Sequence, residues 1–363
     1  MARTGLSGLT AEEISDIVVP AGFSQTAALA VCNDLYRKRT GEIPGFGKTG
    51  PRLRNFLSEN FDSGIFPPLS REKSSDNTVK YLFRTGDGRF FETVFIPEKG
   101  RNTVCVSTQS GCRMGCRFCV TAGYGFHGNL TAGEILNQVL AIPETGGITH
   151  VVMMGMGEPM DNLDSVLKTC NIITAGWGLA ISRRNVTVST VGLAPGIGKF
   201  LEASDCNLTV SLLSPFPDER KMFVPAENKY PVRTIIDLLK PYPLAKKRRI
   251  SLAYMMIDGF NDSERHLREL KSLLKGSSIR VNLLPFHSIP GDGRISSSET
   301  RMQYFRHELV ISGISASVRK SRGADISAAC GLLASDLSKS PEIATDRGLS
   351  AGKCIRQGSR RGS

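Results

Sequence analysis

The sequence has one tryptophan, Trp177, and aromatic residues make up only 7% of its 363 residues. A platform that stacks successive single-stranded bases needs a row of exposed rings, so that class is excluded. No apolar run approaches the roughly 18 residues of a membrane-spanning helix, and no membrane association is expected. The first thirty residues lack a basic region followed by a short apolar run. A secretory signal is therefore not expected, and a cytoplasmic location is. Nine cysteines are too few and too unevenly placed for a disulfide scaffold. In a reducing compartment, clustered thiols read instead as metal-binding or catalytic.

Cys32, Cys170 and Cys206 lie in apolar stretches and read as buried structural thiols, while Cys354 sits in a polar tail. Cys105, Cys112, Cys116, Cys119 and Cys330 remain to be explained. Lys and Arg total 46 against 34 Asp and Glu, a net charge of +12. Basic runs recur at Arg37–Arg39, Arg183–Arg184, Lys246–Arg249, Arg319–Arg322 and Arg360–Arg361. Such a balance either coats a solvated face or meets a polyanion, most often nucleic acid.

The pattern along the chain predicts a helical accessory domain over residues 1–95, with Thr10 as the N-cap of its first helix. That region closes with a hairpin, VKYLFRT and RFFETVFIP joined by GDG. A core over 96–334 alternates seven short β-rich runs with amphipathic helical segments, and a basic tail over 335–363 reads as disordered. Repeated βα units imply a parallel α/β sheet curling toward a barrel. The unusual residues sit just past the C-terminal ends of the proposed strands. The cysteine group follows the first strand, GMGEP the second, STVG the third, SLLSP the fourth, PFH the sixth, and Cys330 the last. In parallel barrels that is the active face.

Three cysteines, Cys112, Cys116 and Cys119, are spaced C-x3-C-x2-C within GCRMGCRFCVTAG. Structural zinc wants four closed ligands in two pairs, and His127 in GYGFHGN lacks ligand spacing for the fourth. A fully ligated ferredoxin cluster also wants four thiolates, and Cys105 falls within a predicted strand. Three thiolates suit a [4Fe–4S] cluster whose fourth iron is open to a substrate. The spacing resembles the signature of the radical S-adenosylmethionine (SAM) superfamily. That resemblance implies that the open iron chelates SAM and that one electron from the cluster breaks its sulfonium bond. MMGMGEPMDN fails as a dinucleotide loop, since Pro159 stands where a helix should begin. Gly157 and Glu158 resemble instead the pair that holds the SAM amino group.

GCRFCVTAGYGFHGNLTAGEI, GMGEPMDN, RRNVTVSTVG, VNLLPF and RKSRGADISAACGLLA together resemble the RlmN/Cfr family of RNA adenosine methyltransferases, over about residues 91–334. The resemblance implies a partial (β/α)6-type radical SAM barrel behind the helical accessory domain and hairpin. It implies an RNA partner, 23S rRNA and also tRNA, and an electron donor such as a flavodoxin or ferredoxin. Pro159 resembles the branch that methylates adenine C2 rather than C8. By the same resemblance Cys330 accepts a methyl group from one SAM, and a second SAM initiates its radical transfer to the ring. Glu92 removes the ring proton, and Cys105 resolves the protein–RNA adduct by a transient disulfide with Cys330. Ser189, Ser211 and Leu212 match positions that contact SAM. Two positions depart from the family pattern: Leu213 stands where histidine is usual, and His287 where asparagine is usual. The His287 imidazole could itself hydrogen-bond the SAM ribose or carboxylate.

Overall fold

The computed structural model describes residues 3–242, 248–289 and 291–334. The tail from residue 335, with Cys354, lies outside them, as do Lys246 and Lys247 of one basic run. Near the N-terminus, β1 (Thr4–Gly5) pairs in parallel with β2 (Phe61–Asp62), and three helices lie between them. The first, α1 (Ala11–Val18), opens with the capping box that Thr10 predicts. The Thr10 hydroxyl accepts from the Glu13 N–H and the Glu13 carboxylate accepts from the Thr10 N–H. Such a cap contributes about 1 kcal/mol. The second, α2 (Gln25–Cys32), runs on as a π-helical turn over Asn33–Arg37. There the buried Asp34 carboxylate accepts the Lys48 and Thr49 N–H groups and so docks the loop before α3 (Pro51–Asn60).

The rest of the described chain is built on one ten-stranded sheet. It begins with an antiparallel ribbon, β3 (Ser70–Lys73), β4 (Val79–Arg84) and β5 (Phe90–Glu98), whose last strand pairs antiparallel with β6 (Arg101–Cys105). A short two-stranded ribbon, β7 (Gln109–Gly111) and β8 (Phe126–Asn129), follows, holding α4 (Val120–Tyr124) between its strands. Parallel strands β9 (His150–Met153), β10 (Val186–Thr190), β11 (Asn207–Ser211), β12 (Ile250–Met256), β13 (Arg280–Pro285) and β14 (Ala316–Val318) then add to β6 in chain order. The seven parallel runs expected from the sequence are all present. The predicted hairpin is hydrogen-bonded into the barrel sheet, so residue 95 falls inside β5.

Each crossover between parallel strands carries a helix: α5 (Ala132–Leu140), α6 (Leu163–Thr174), α7 (Ala194–Ala203), α8 (Pro217–Phe223) with α9 (Val232–Leu239), α10 (Glu264–Leu274) and α11 (Glu299–Ile311). Helix α10 buries Leu267, Leu270, Leu273 and Leu274, an i, i+3, i+7 stripe against the sheet. The chain is thus an α/β fold, a partial (β/α)6-type barrel carrying an N-terminal helical region.

The segment after β14 crosses to the opposite edge of the sheet. Asp325 accepts hydrogen bonds from the Ser74 hydroxyl (2.6 Å) and the Ser75 N–H (3.0 Å) at the β3–β4 turn. In return, Asp76 accepts from the Gly323 N–H at 3.0 Å. This strap joins the two ends of the open barrel, and it carries Cys330.

Candidate active site

The cysteine loop is set by backbone that only glycine can adopt. Gly111 has φ +75°, and a Cβ there would lie 1.7 Å from the Gly125 carbonyl oxygen. The close approach lets the Cys112 N–H donate to that oxygen at 2.8 Å, while the Arg117 N–H donates to Phe223 O at 2.9 Å. Cys116 is buried among Leu213, Phe223, Val224, Ile257 and Phe286, with Cys119 packed at the edge of the same apolar group. Burial pushes the Cys112 thiol up to about 12, and a charge on Cys119 adds to it. Cys116 is raised further, by burial and then by charge on Cys119 and Cys112. Among the described residues, no three His, Cys, Asp or Glu side chains converge as ligands of a single metal ion do. The ligands of a four-iron cluster stand at separate corners and need no such convergence. Three soft thiols that feel one another's charge, against an apolar cradle, fit that group.

The GMGEP loop packs directly on this loop. Gly157 has φ +99°, and a Cβ there would meet the Gln109 side chain at 2.6 Å. Glu158 is buried, its Oε1 accepting from the Met160 N–H (3.0 Å) and its Oε2 from the Val191 N–H (2.8 Å). Burial pushes its carboxyl up to about 7, against the hydrogen bonds from Thr190, Val191 and Met160 that favour the ionised form. A buried carboxylate with lone pairs to spare, past the end of β9, fits a ligand ammonium. Gln109, fully buried, holds the two loops together. Its carbonyl accepts from the Glu158 N–H at 2.9 Å. Its amide donates to Asn129 and Asp161, each at 2.8 Å, and Asp161 in turn pairs with Arg113 at 2.7 Å. Sequence reading missed Gln109, since nothing but its place three residues before Cys112 marks it.

Half-buried Ser189 and Ser211 end adjacent strands β10 and β11. Leu212 is different. Its N–H donates to Ala253 O at 2.9 Å, its carbonyl accepts from Arg220 and the Ser214 N–H, and its side chain lies in the main core. Leu212 therefore has no backbone donor left for a ligand, and Ser211 keeps its hydroxyl. Leu213 takes φ +61°, strain worth about 1–3 kcal/mol, and its side chain fills the apolar group around Cys116. Asn261 holds the strained residue by donating to its carbonyl at 2.7 Å. Arg220, fully buried, reaches Val191 O, Ser211 O and Leu212 O and pairs with Glu227. One guanidinium thus fixes the ends of β10 and β11, and leaving it buried without Glu227 would cost about 3–5 kcal/mol. The half-buried His287 ring bonds through Nε2 to the Ser321 hydroxyl at 2.8 Å, which leaves Nδ1 for any ligand. Burial lowers its pKa.

Cys105 and Cys119 each lie near enough to Cys330 for charge to be felt between them. Burial pushes the Cys105 thiol up to about 12, with charge on Cys330 the next cause. The Cys330 thiol is held above its usual range by lost hydration and then by charge on Cys119, although the residue is exposed at the surface. Its flanks are tied to the cluster loop. The Val120 N–H donates to Gly331 O at 2.7 Å, and the Thr121 hydroxyl to Leu333 O at 3.0 Å. Gly331 has φ +85°, and a Cβ there would stand 3.0 Å from Phe118 O. The far end of the segment reaches Glu92, whose Oε2 accepts from the Ala334 N–H at 2.7 Å. Glu92 is only 2% exposed, whereas a lone hairpin carboxylate is usually solvated. A cavity of about 730 Å³ lies at the other end of the strands, beside Cys170 and Cys206, and contains none of these residues.

Removing the strap's anchor tests whether it holds Cys330 in place. In Asp325→Ala, amide hydrogen exchange over residues 323–334 is expected to rise about tenfold, because local opening then needs fewer bonds broken. Unchanged protection at the Ala334 amide would contradict this.

The radical SAM superfamily pattern matches residues 106–270 of the chain. A probable dual-specificity RNA methyltransferase RlmN from Parabacteroides distasonis is 43% identical over 328 residues, covering 90% of this chain and 96% of the relative. The dual-specificity RNA methyltransferase RlmN of Syntrophotalea carbinolica is 37% identical, covering 93% and 92%. Among solved structures, a radical SAM methyltransferase from Sphaerobacter thermophilus superposes with a TM-score of 0.84 at 36% identity. That match covers 91% of this chain and 98% of the other.

Proposed function

The chain belongs to the RlmN family of radical SAM RNA methyltransferases, and on that premise we propose that it methylates adenine C2 in 23S rRNA and tRNA through a methylated Cys330. The observation that carries this reading is that the Cys330 segment is hydrogen-bonded both to the cysteine loop, at Val120 and Thr121, and to Glu92, with Cys105 near enough to feel a charge on Cys330. Adenine C2 offers no lone pair to a sulfonium methyl, whereas a thiolate does.

Cys112, Cys116 and Cys119 would hold the cluster, with Gly157, Glu158, Ser189, Ser211 and His287 Nδ1 around SAM and Leu212 supporting Ser211 from behind. When bound, the cluster supplies the single electron for reductive cleavage of SAM, drawn from a flavodoxin- or ferredoxin-like donor. Cys330 Sγ takes the methyl group of a first SAM by displacement, and a second SAM is consumed in joining the methyl carbon to the ring. Glu92 takes the ring proton. The Cys105 thiolate then attacks Cys330 Sγ, the sulfur–carbon bond breaks as the disulfide forms, and the released carbon takes a proton to complete the methyl group; an external dithiol reopens the disulfide. A transient disulfide of this kind suits the reducing cytoplasm. The target base must leave its stack to reach the mouth, with Lys and Arg contacts to phosphate positioning the RNA.

The test is nucleoside mass spectrometry on unmodified 23S rRNA and tRNA, after anaerobic cluster reconstitution with SAM and a reductant. 2-Methyladenosine is expected. 8-Methyladenosine would move the reaction to the other ring carbon, and SAM cleavage without any methylated adenosine would overturn the proposal.

A further inference from the structure

Two segments grip the cysteine loop at separate places. The Cys330 segment holds its later part, through Val120 and Thr121. Helix α8 and the single helical turn after it, Pro225–Asn228, hold its middle. The Arg117 N–H donates to Phe223 O at 2.9 Å, and a Cβ on Gly115 would stand 3.6 Å from Pro225 Cγ. Phe223 and Val224 turn inward and pack in one apolar group with Cys116, with Ala226 at its edge.

The outward side of the same helix is built differently. Met222 is 49% exposed, and Lys221 beside it is exposed as well. Arg117 on the loop and Lys229 just past the turn add two more exposed cations. Among the described residues, none of these three cations has an ion pair, whereas Arg113 of the same loop is paired with Asp161. Asp218 is the exposed acidic side chain of α8, and Glu219 is taken up by Ser214, Arg265 and His266. A single exposed apolar side chain is ordinary on a protein surface. Here it is a methionine, which adapts its shape to a partner, and it stands with unneutralised cations over the loop that would hold the cluster.

The reaction proposed above consumes its second SAM with the adenine already beside Cys330 and Glu92. The electron for that step must enter while RNA occupies the mouth, so its donor needs another approach. We propose that Met222, with Arg117, Lys221 and Lys229, forms the docking surface for an acidic one-electron carrier protein that reduces the cluster across α8. The inference rests on the cluster assignment and the order of steps given above. Electron transfer between proteins falls steeply with distance, and a carrier seated on α8 has Phe223 and Val224 between it and Cys116. Cations at the rim of such a contact steer an acidic partner and raise the encounter rate. A small patch suffices, because electron-transfer encounters bury less than about 1,200 Å² in total.

The test uses the reconstituted full chain with SAM and RNA bound, and a bacterial flavodoxin as the probe. Carbodiimide coupling is expected to join flavodoxin carboxylates to Lys221 and Lys229, located by peptide mass spectrometry. In stopped flow, the double variant Lys221→Glu, Lys229→Glu should slow cluster bleaching by flavodoxin hydroquinone about tenfold at low ionic strength. That deficit should shrink as salt is raised. Reduction by the methyl viologen radical, which needs no docking, should keep the unaltered rate, and iron content should not change. Lys221→Gln with Lys229→Gln should show the same pattern at smaller size, and replaces the reversal where that variant does not fold. Cross-links confined to other lysines, unslowed flavodoxin reduction in both variants, or equal slowing with both reductants would overturn the docking role. Loss of RNA binding with flavodoxin reduction intact would give the surface to RNA and overturn it too. An unaltered chain that holds no iron after reconstitution would instead overturn the cluster assignment.

Discussion

Replacing Cys330 with alanine is expected to abolish RNA methylation, by about 10³-fold or more, while the iron content stays that of the unaltered enzyme. A residue that accepts a group covalently cannot be bypassed by binding energy alone, so its loss removes most of the acceleration. The structure separates this role from a packing role. Cys330 is exposed, and its segment is held by backbone bonds at Gly331, Leu333 and Ala334 that an alanine at position 330 leaves in place. Iron and sulfide analysis, SAM cleavage and nucleoside mass spectrometry on the same preparation check the expectation. Residual methylation within tenfold of the unaltered rate would refute a covalent role.

Cys116→Ala should have an effect of similar size for a different reason. Iron is expected to fall well below the about four per chain of a complete cluster, and SAM cleavage should disappear with it. Of the three clustered thiols Cys116 is the buried one, set among apolar groups, so alanine suits its surroundings and the fold should persist. Serine would bury an unpartnered hydroxyl there and confuse ligand loss with destabilisation. Visible absorption and iron content, with the melting temperature as a fold control, distinguish the two. Full iron content in Cys116→Ala would remove this residue from the ligand set.

The parallel sheet was legible in the sequence because each β-rich run is short and apolar and each but the last is followed by a helical segment, with a start signal as at Thr131, which forms a second capping box with Glu134. The mouth was legible because its unusual residues recur at strand ends. The β7–β8 ribbon was not, since its residues are rich in glycine and serine and its pairing rests on close backbone approach rather than alternation. The burial of Glu92 was not legible for a related reason. Strand β5 is buried on both faces as part of the barrel sheet, so its sequence does not alternate as a surface hairpin would. The basic residues behave in two ways. Arg183 makes an exposed pair with Asp205, while Arg220, outside every basic run, is the buried ion that shapes the site. Composition cannot distinguish them, because burial of Arg220 depends on carbonyls at the ends of two strands, Val191 after β10 and Ser211 and Leu212 at β11, and on Glu227.

The central claim is that Cys330 carries the methyl group, and the peptide containing it can be weighed. The reconstituted enzyme, incubated anaerobically with SAM bearing a deuterated methyl group and then digested, should yield a Cys330 peptide heavier by that labelled group. The label should leave the peptide for the adenosine when RNA and reductant are added. Labelled adenosine formed by an enzyme whose Cys330 peptide is never labelled would contradict the account.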